Sequence, residues 1–207
     1  MIMKNRLSFA FRRVRNRHAF VYIYNPYLYI ADWAKKNDGN VEISGAKSGL
    51  INSVSLKNDL NIQLFFDGFK KNALPISRSK YSKQCECVLF PINCNTEEWV
   101  LFIETKYAEN LEKAQKKEAD YPNKMVIQIK DTVRYFRNNG IIPNDKVVYA
   151  IISFPNLVEE FGSWVFPIIK EDGTEESILD ILLNDKIIIR ATNNAQIINE
   201  KLLLLES

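Results

Sequence analysis

Histidine is nearly absent from this 207-residue chain, where His18 stands alone. A single imidazole excludes three-histidine metal sites and paired-histidine acid–base schemes within one chain. A serine triad would depend on His18, and no nucleophile-elbow pattern accompanies it. Cysteine is sparse too. Cys85, Cys87 and Cys94 form an odd, clustered set, which argues against a disulfide framework and falls short of the four ligands of a closed zinc site. They read as small core residues, and strand alternation places Cys85 and Cys87 together on the face opposite Glu86. Glycine and proline number seven each, and there is no low-complexity tract or internal repeat, so the composition is that of a folded chain. No run of about 18 apolar residues appears, which excludes a membrane helix. The opening Met-Ile-Met-Lys-Asn-Arg is not followed by an apolar segment of signal type. A cytoplasmic protein is the expectation. The glycine patterns of phosphate loops and dinucleotide folds are missing, so no nucleotide cofactor is expected.

What is present is concentrated between residues 84 and 106. Gln84-Cys-Glu-Cys-Val-Leu-Phe90, the polar stretch Asn93–Glu98, and Trp99-Val-Leu-Phe-Ile-Glu-Thr-Lys106 read as a β-hairpin. Glu104 and Lys106 share a strand face because side chains alternate. If the turn centres on Asn95 or Thr96, Glu86 opposes Glu104 or Lys106 and lies on their face, whereas a slip of one residue would turn it away. Many Glu-x-Lys pairs are merely solvated edges. Here the pair ends Trp99–Ile103, a run apolar enough to be covered on both faces. Charges at the end of such a strand need a partner, water or a metal. Two carboxylates and an ammonium on one buried face suit divalent-metal binding and phosphodiester cleavage.

Acid is lacking before Asp32, while Lys4, Arg6, Arg12, Arg13, Arg15 and Arg17 precede it. A second basic stretch, Lys70, Lys71, Arg78, Lys80 and Lys83, runs into the hairpin. Such runs are often solvated faces, but beside paired carboxylates they suit a phosphate backbone. Net charge is only +3.

Along the chain, residues 6–18 suggest a basic helix or arm, and Phe20–Ile30 a strand region broken at Asn25-Pro26. Asp38-Gly39 signals a turn. Leu60 to Phe69 suits strand or helix, and Ala73–Ser82 a loop. Residues 107–120 suggest a loop with a short exposed helix. Tyr121-Pro122-Asn123 opens the clearest helix, with an apolar stripe of Val126, Ile129, Val133 and Phe136 and a cap at Gly140. Lys130, Arg134 and Arg137 form a candidate phosphate-facing stripe, and Gln128 lies near the start. Lys146–Phe154 and Lys186–Thr192 read as strands, the first central and parallel to the hairpin's second strand. Asn193-Asn194 reads as a turn, and Leu202–Leu205 as an apolar tail.

Hairpin, Glu86, Glu104-Thr105-Lys106, helix and buried strand together resemble the PD-(D/E)XK nuclease superfamily over about residues 80–155. The resemblance implies an α/β restriction-endonuclease-like fold, a central mixed β-sheet flanked by helices. It also implies a single nuclease-like domain, with residues 1–45 a basic extension, about 46–155 the core and 156–207 an elaboration. It implies a DNA endonuclease in which Glu86, Glu104 and the backbone carbonyl of Thr105 hold Mg²⁺, Mn²⁺ being able to substitute, and Lys106 orients or activates water. DNA is the implied partner, contacted by Arg12, Arg13, Arg15, Arg17, Lys80, Lys83, Lys130 and Arg134. A homodimer would match the two-fold symmetry of duplex DNA. The first acid departs from the family's usual Pro-Asp, standing as Cys85-Glu86. A third acid from Glu42, Asp59 or Asp67 is open, and Gln128 is a weak match to the glutamine of exonuclease-like members. The alternative is a nuclease-like fold without catalysis, serving as a nucleic-acid-binding or assembly module.

Overall fold

Three consecutive segments, Leu64–Phe69 (β5), Cys87–Pro91 (β6) and Leu101–Thr105 (β7), are buried at every position. Only a sheet covered on both faces does this. The computed structural model describes residues 2–32, 41–47, 49, 52–115, 120–157, 165–170 and 172–206, and the expected turn at Asp38-Gly39 lies outside them.

The main sheet has six strands in the order β1-β5-β6-β7-β8-β11, where β1 is His18–Ile23, β8 Val148–Ser153 and β11 Ile187–Ala191. β1, β5, β6 and β7 are antiparallel neighbours, while β7, β8 and β11 run parallel. The stretch Leu60–Phe69 therefore resolves to a strand. Between β7 and β8 the chain forms the short helix α2 (Leu111–Gln115) and then α3 (Tyr121–Asn138). All four residues of the expected stripe on α3 are buried, and the helix ends at Gly140, whose φ of +65° suits the residue past a helix end.

A second sheet of five strands follows the order β13-β12-β4-β2-β3. Its members are Leu203–Leu205 (β13), Asn194–Ile197 (β12), Val54–Lys57 (β4), Tyr27–Asp32 (β2) and Val41–Ser44 (β3). The apolar tail is thus a strand antiparallel to β12, and Asn194, expected in a turn, begins β12. Ile168–Ile169 (β9) and Glu175–Glu176 (β10) form a two-stranded ribbon. The helix α4 (Ile178–Asp185) is started by Ser177, whose Oγ accepts the Asp180 N–H while its own N–H donates to Asp180.

Two apolar cores follow from strand alternation. Phe65, Phe69, Val88, Phe90 and Phe102 of the main sheet pack with Leu7, Val133, Phe136 and Ile181 of the helices. Leu64, Phe66, Cys87, Leu89, Leu101 and Ile103 face the second sheet at Leu28, Ile30, Leu56 and Ala195. The two sheets approach closely at Gly68, where a Cβ would stand 2.6 Å from the Val41 carbonyl oxygen.

The amino-terminal segment is not the extension expected from its charge. Met3, Leu7 and Phe11 of helix α1 (Met3–Ala10) and the residue after it enter the core, and β1 forms an edge of the main sheet. Apolar residues spaced four apart outweigh the intervening basic ones. The described residues form mixed sheets with flanking helices, and no described helix is long and apolar enough to cross a membrane.

Candidate active site

The hairpin register pairs Cys87 with Ile103, Val88 with Phe102 and Leu89 with Leu101. This centres the turn on Asn95 and brings Glu86 to the level of Glu104. Glu86 is not a regular strand residue. Its N–H donates to Ile103 O of β7 at 3.0 Å, while its carbonyl accepts from Phe69 N of β5 at 2.8 Å. In a regular antiparallel strand both groups of one residue face the same neighbour. The irregularity is bulge-like, and it breaks the alternation expected here. Cys85 consequently enters the helix-side core and Cys87 the core between the sheets, rather than both lying opposite Glu86. All three cysteines are buried and free.

Helix α3 holds this distortion. Thr132 Oγ1 accepts the Cys85 N–H at 2.8 Å and donates to Gln128 O at 2.7 Å. Gln128 Nε2 donates to Gln84 O at 2.8 Å. The Gln128 side chain is therefore committed to positioning the strand that carries Glu86.

Lys106 Nζ lies 2.7 Å from Glu104 Oε1 and 3.2 Å from Glu86 Oε1. The three expected residues thus converge. The Lys106 N–H donates to Ser153 O at 2.9 Å, anchoring the lysine on β8. The Glu104 side chain is wholly buried, whereas those of Glu86 and Lys106 keep 18% and 26% exposure, so solvent reaches the group from one side. The Glu104 carboxylate is met by the Lys106 ammonium as an ion pair.

Burial, then the charge of Glu86, pushes the Glu104 carboxyl up to about 8 against the pull of Lys106. Burial also raises Glu86, with Lys106 opposing and Asp32 adding to the shift. Burial pulls the Lys106 ammonium down, but Glu104 and then Glu86 outweigh it and hold it above the ordinary lysine range. Burial is the largest single influence on all three groups; it favours the protonated carboxylates, and at Lys106 the two carboxylates together override it. A divalent cation would offset the charge of the two carboxylates more fully than one ammonium does.

Hard carboxylate oxygens fit Mg²⁺, which needs only one or two protein carboxylates and keeps several waters. Among the described residues no group of three or more His, Cys, Asp or Glu side chains is placed to hold a metal. Of the candidate third acids, Asp59 pairs with Lys57 at 2.9 Å and buried Asp67 with His18 Nδ1 at 2.8 Å. Glu42 lies on β3 opposite Ala31. Thr105 is buried, its Oγ1 without a partner among the described residues.

Asp32 was missed in the sequence. It ends β2 and acts electrostatically on Glu86 from the second sheet. Its N–H donates to the Tyr107 hydroxyl at 3.1 Å, and that hydroxyl donates to Asn52 O at 3.0 Å. The one available signal was an acid ending the run Tyr27–Ala31.

The basic candidates divide. Lys130 is locked between Glu176 at 2.9 Å and Asp185 at 2.7 Å. Arg137 donates to the carbonyls of Asp185 and Lys146. The expected phosphate-facing stripe on α3 therefore reduces to Arg134, because these neighbours lean against the carboxyl-terminal elements. Arg15 lies 5.1 Å over the Phe20 ring, and Arg17 4.9 Å over the Tyr81 ring. Arg12 and Arg13 are exposed. Lys80, Lys83 and Arg134 line one cleft.

No family model, curated protein or solved structure matches this chain.

Proposed function

We propose that the protein is a divalent-metal-dependent nuclease that hydrolyses DNA phosphodiester bonds, built on a restriction-endonuclease-like core. The observation that carries this reading is Glu104, a fully buried carboxylate that shares one ammonium, Lys106, with the partly exposed Glu86. Glu86 and Glu104, with the Thr105 carbonyl, would hold Mg²⁺ or Mn²⁺. The metal, when bound, supplies Lewis-acid charge to a phosphoryl oxygen and lowers the pKa of water. Lys106 stays protonated between two carboxylates, so it contributes positive charge and N–H donors to an anionic phosphate rather than acting as a base. Gln128 and Thr132 keep Glu86 in position through the backbone of Gln84 and Cys85.

Incubation of the full chain with plasmid and oligonucleotide DNA in Mg²⁺ or Mn²⁺ tests the reading. Wild type is expected to cut, with Glu104→Gln and Lys106→Ala reduced at least about a hundredfold while retaining their circular dichroism and cooperative melting. No cleavage of any DNA form by folded wild type overturns it.

The second reading, a nuclease-like fold that binds nucleic acid without cutting it, is favoured by the Lys106 ammonium lying against both carboxylates, with no group of three or more His, Cys, Asp or Glu side chains placed to hold a metal among the described residues. Salt-sensitive binding without cleavage selects it.

A further inference from the structure

Residues 70–84 form a structured finger that contains no acid and carries Lys70, Lys71, Arg78, Lys80 and Lys83. Its backbone is tied on itself and to its surroundings. Ser82 N–H donates to Leu74 O at 2.9 Å, and Ile76 N–H to Lys80 O at 2.8 Å. Gln84 bridges Ala73 N and Lys70 O. Arg17 donates to Asn72 O and Tyr135 to Pro75 O. The finger is thus held against β1 and α3 by bonds that leave its ammonium groups outward.

Between finger and α3 lie two adjoining clefts sharing Ser82 and Lys83. The first, about 460 Å³, has Ile76, Tyr81, Lys80, Lys83, Arg134 and Asn138 on its walls. The second, about 420 Å³, is bordered by Lys71, Lys124, Gln84 and Gln128. Asp131 is the one acid on these walls, and it pairs with Arg134 at 2.9 Å. Among the described residues no ion pair engages Lys71, Lys80 or Lys83. Exposed cations and an aromatic ring in a concave track match two parts of a nucleic-acid strand, its phosphates and a base face.

We propose that this double cleft binds a single-stranded nucleic-acid segment, with phosphates against Lys71, Lys80 and Lys83 and a base against Ile76 and the face of Tyr81 turned away from Arg17. The assignment rests on the nuclease reading and deepens it by naming the strand form and its path. A duplex is a poorer fit because its bases are stacked away from Tyr81.

Fluorescence anisotropy of a labelled oligothymidylate of about 16 nucleotides, with the full chain in EDTA, tests it. Expected are binding that weakens steeply with salt and weaker binding of the matching duplex. Lys80→Ala/Lys83→Ala should lose at least about tenfold in affinity and flatten the salt dependence. Tyr81→Ala should lose about fivefold or more with the salt dependence kept, and Lys201→Ala, at the Glu97 end of the sheet, should change nothing. The exposed lysine pair keeps the test valid if Tyr81→Ala fails to melt cooperatively. No binding at low salt, tighter duplex binding, or affinity unmoved by the lysine pair overturns the proposal. Binding that heparin mimics with no effect of Tyr81→Ala also overturns it, as mere polyanion attraction. The chemistry is read separately: intact binding without cleavage removes the nuclease reading and leaves the cleft, whereas cleavage with binding indifferent to the cleft variants does the reverse.

Discussion

A carboxylate enclosed in protein is destabilising when ionised unless its charge is fully met, and Glu104 shares its one ammonium with Glu86. Its carboxyl is raised from 4.5 to about 8, chiefly by burial. Between those values the folded state binds more protons than the unfolded state, so this contribution to stability is complete below about 4.5 and is lost as pH rises through about 8. The melting temperature of metal-free protein should therefore fall from pH 5 to pH 8. Glu104→Gln should flatten that fall and raise the midpoint at pH 8, in differential scanning fluorimetry with EDTA. Added Mg²⁺, which binds the ionised form, should raise the wild-type midpoint most at pH 8 and that of Glu104→Gln little. A wild-type midpoint indifferent to pH, metal or the substitution would remove the electrostatic basis of the site.

At the scale of elements, the site depends on how β6 is distorted before it begins. Residue spacing narrows Glu86 to a place opposite Glu104 or Lys106, and the observed register, centred on Asn95, selects Glu104. It was not enough to place Cys85 and Cys87, because alternation fails where Glu86 turns its N–H and carbonyl to different neighbours. The agent of that distortion, Thr132, lies 47 residues away, and no local pattern announces it. Asp32 escaped for the same reason, since it reaches Glu86 from another sheet. The stripe on α3 was legible from its period, whereas the engagement of Lys130 by Glu176 and Asp185 depends on chain folded much later. Thr132→Val should leave the buried Cys85 N–H without its acceptor and cost about 1–3 kcal/mol in urea denaturation. It should also lower nuclease activity more than an equally destabilising substitution far from β6. Activity scaling only with stability would show that the tether does not position Glu86.

For the whole molecule, the main sheet separates two cores and belongs to both. Phe136, packed on Phe11, Phe69 and Phe102, lies in one, and Leu56 lies in the other. Because β5, β6 and β7 are buried on both faces, loss of either core exposes the same strands. Phe136→Ala should cost about 3–5 kcal/mol and Leu56→Ala about 2–5 kcal/mol, each lowering a single urea transition read identically by tryptophan fluorescence and circular dichroism. Two separated transitions would mean that the second sheet folds on its own. The shared sheet also ends in the candidate site, so the gathering of Glu86 and Glu104 around a divalent cation can be examined in the intact chain. Mn²⁺ binding followed by electron paramagnetic resonance of free Mn²⁺ is the most direct measurement. A saturable site is expected in the folded wild type, and it should disappear in Glu86→Gln and in Glu104→Gln. No saturable binding, or binding that survives both substitutions, would contradict it.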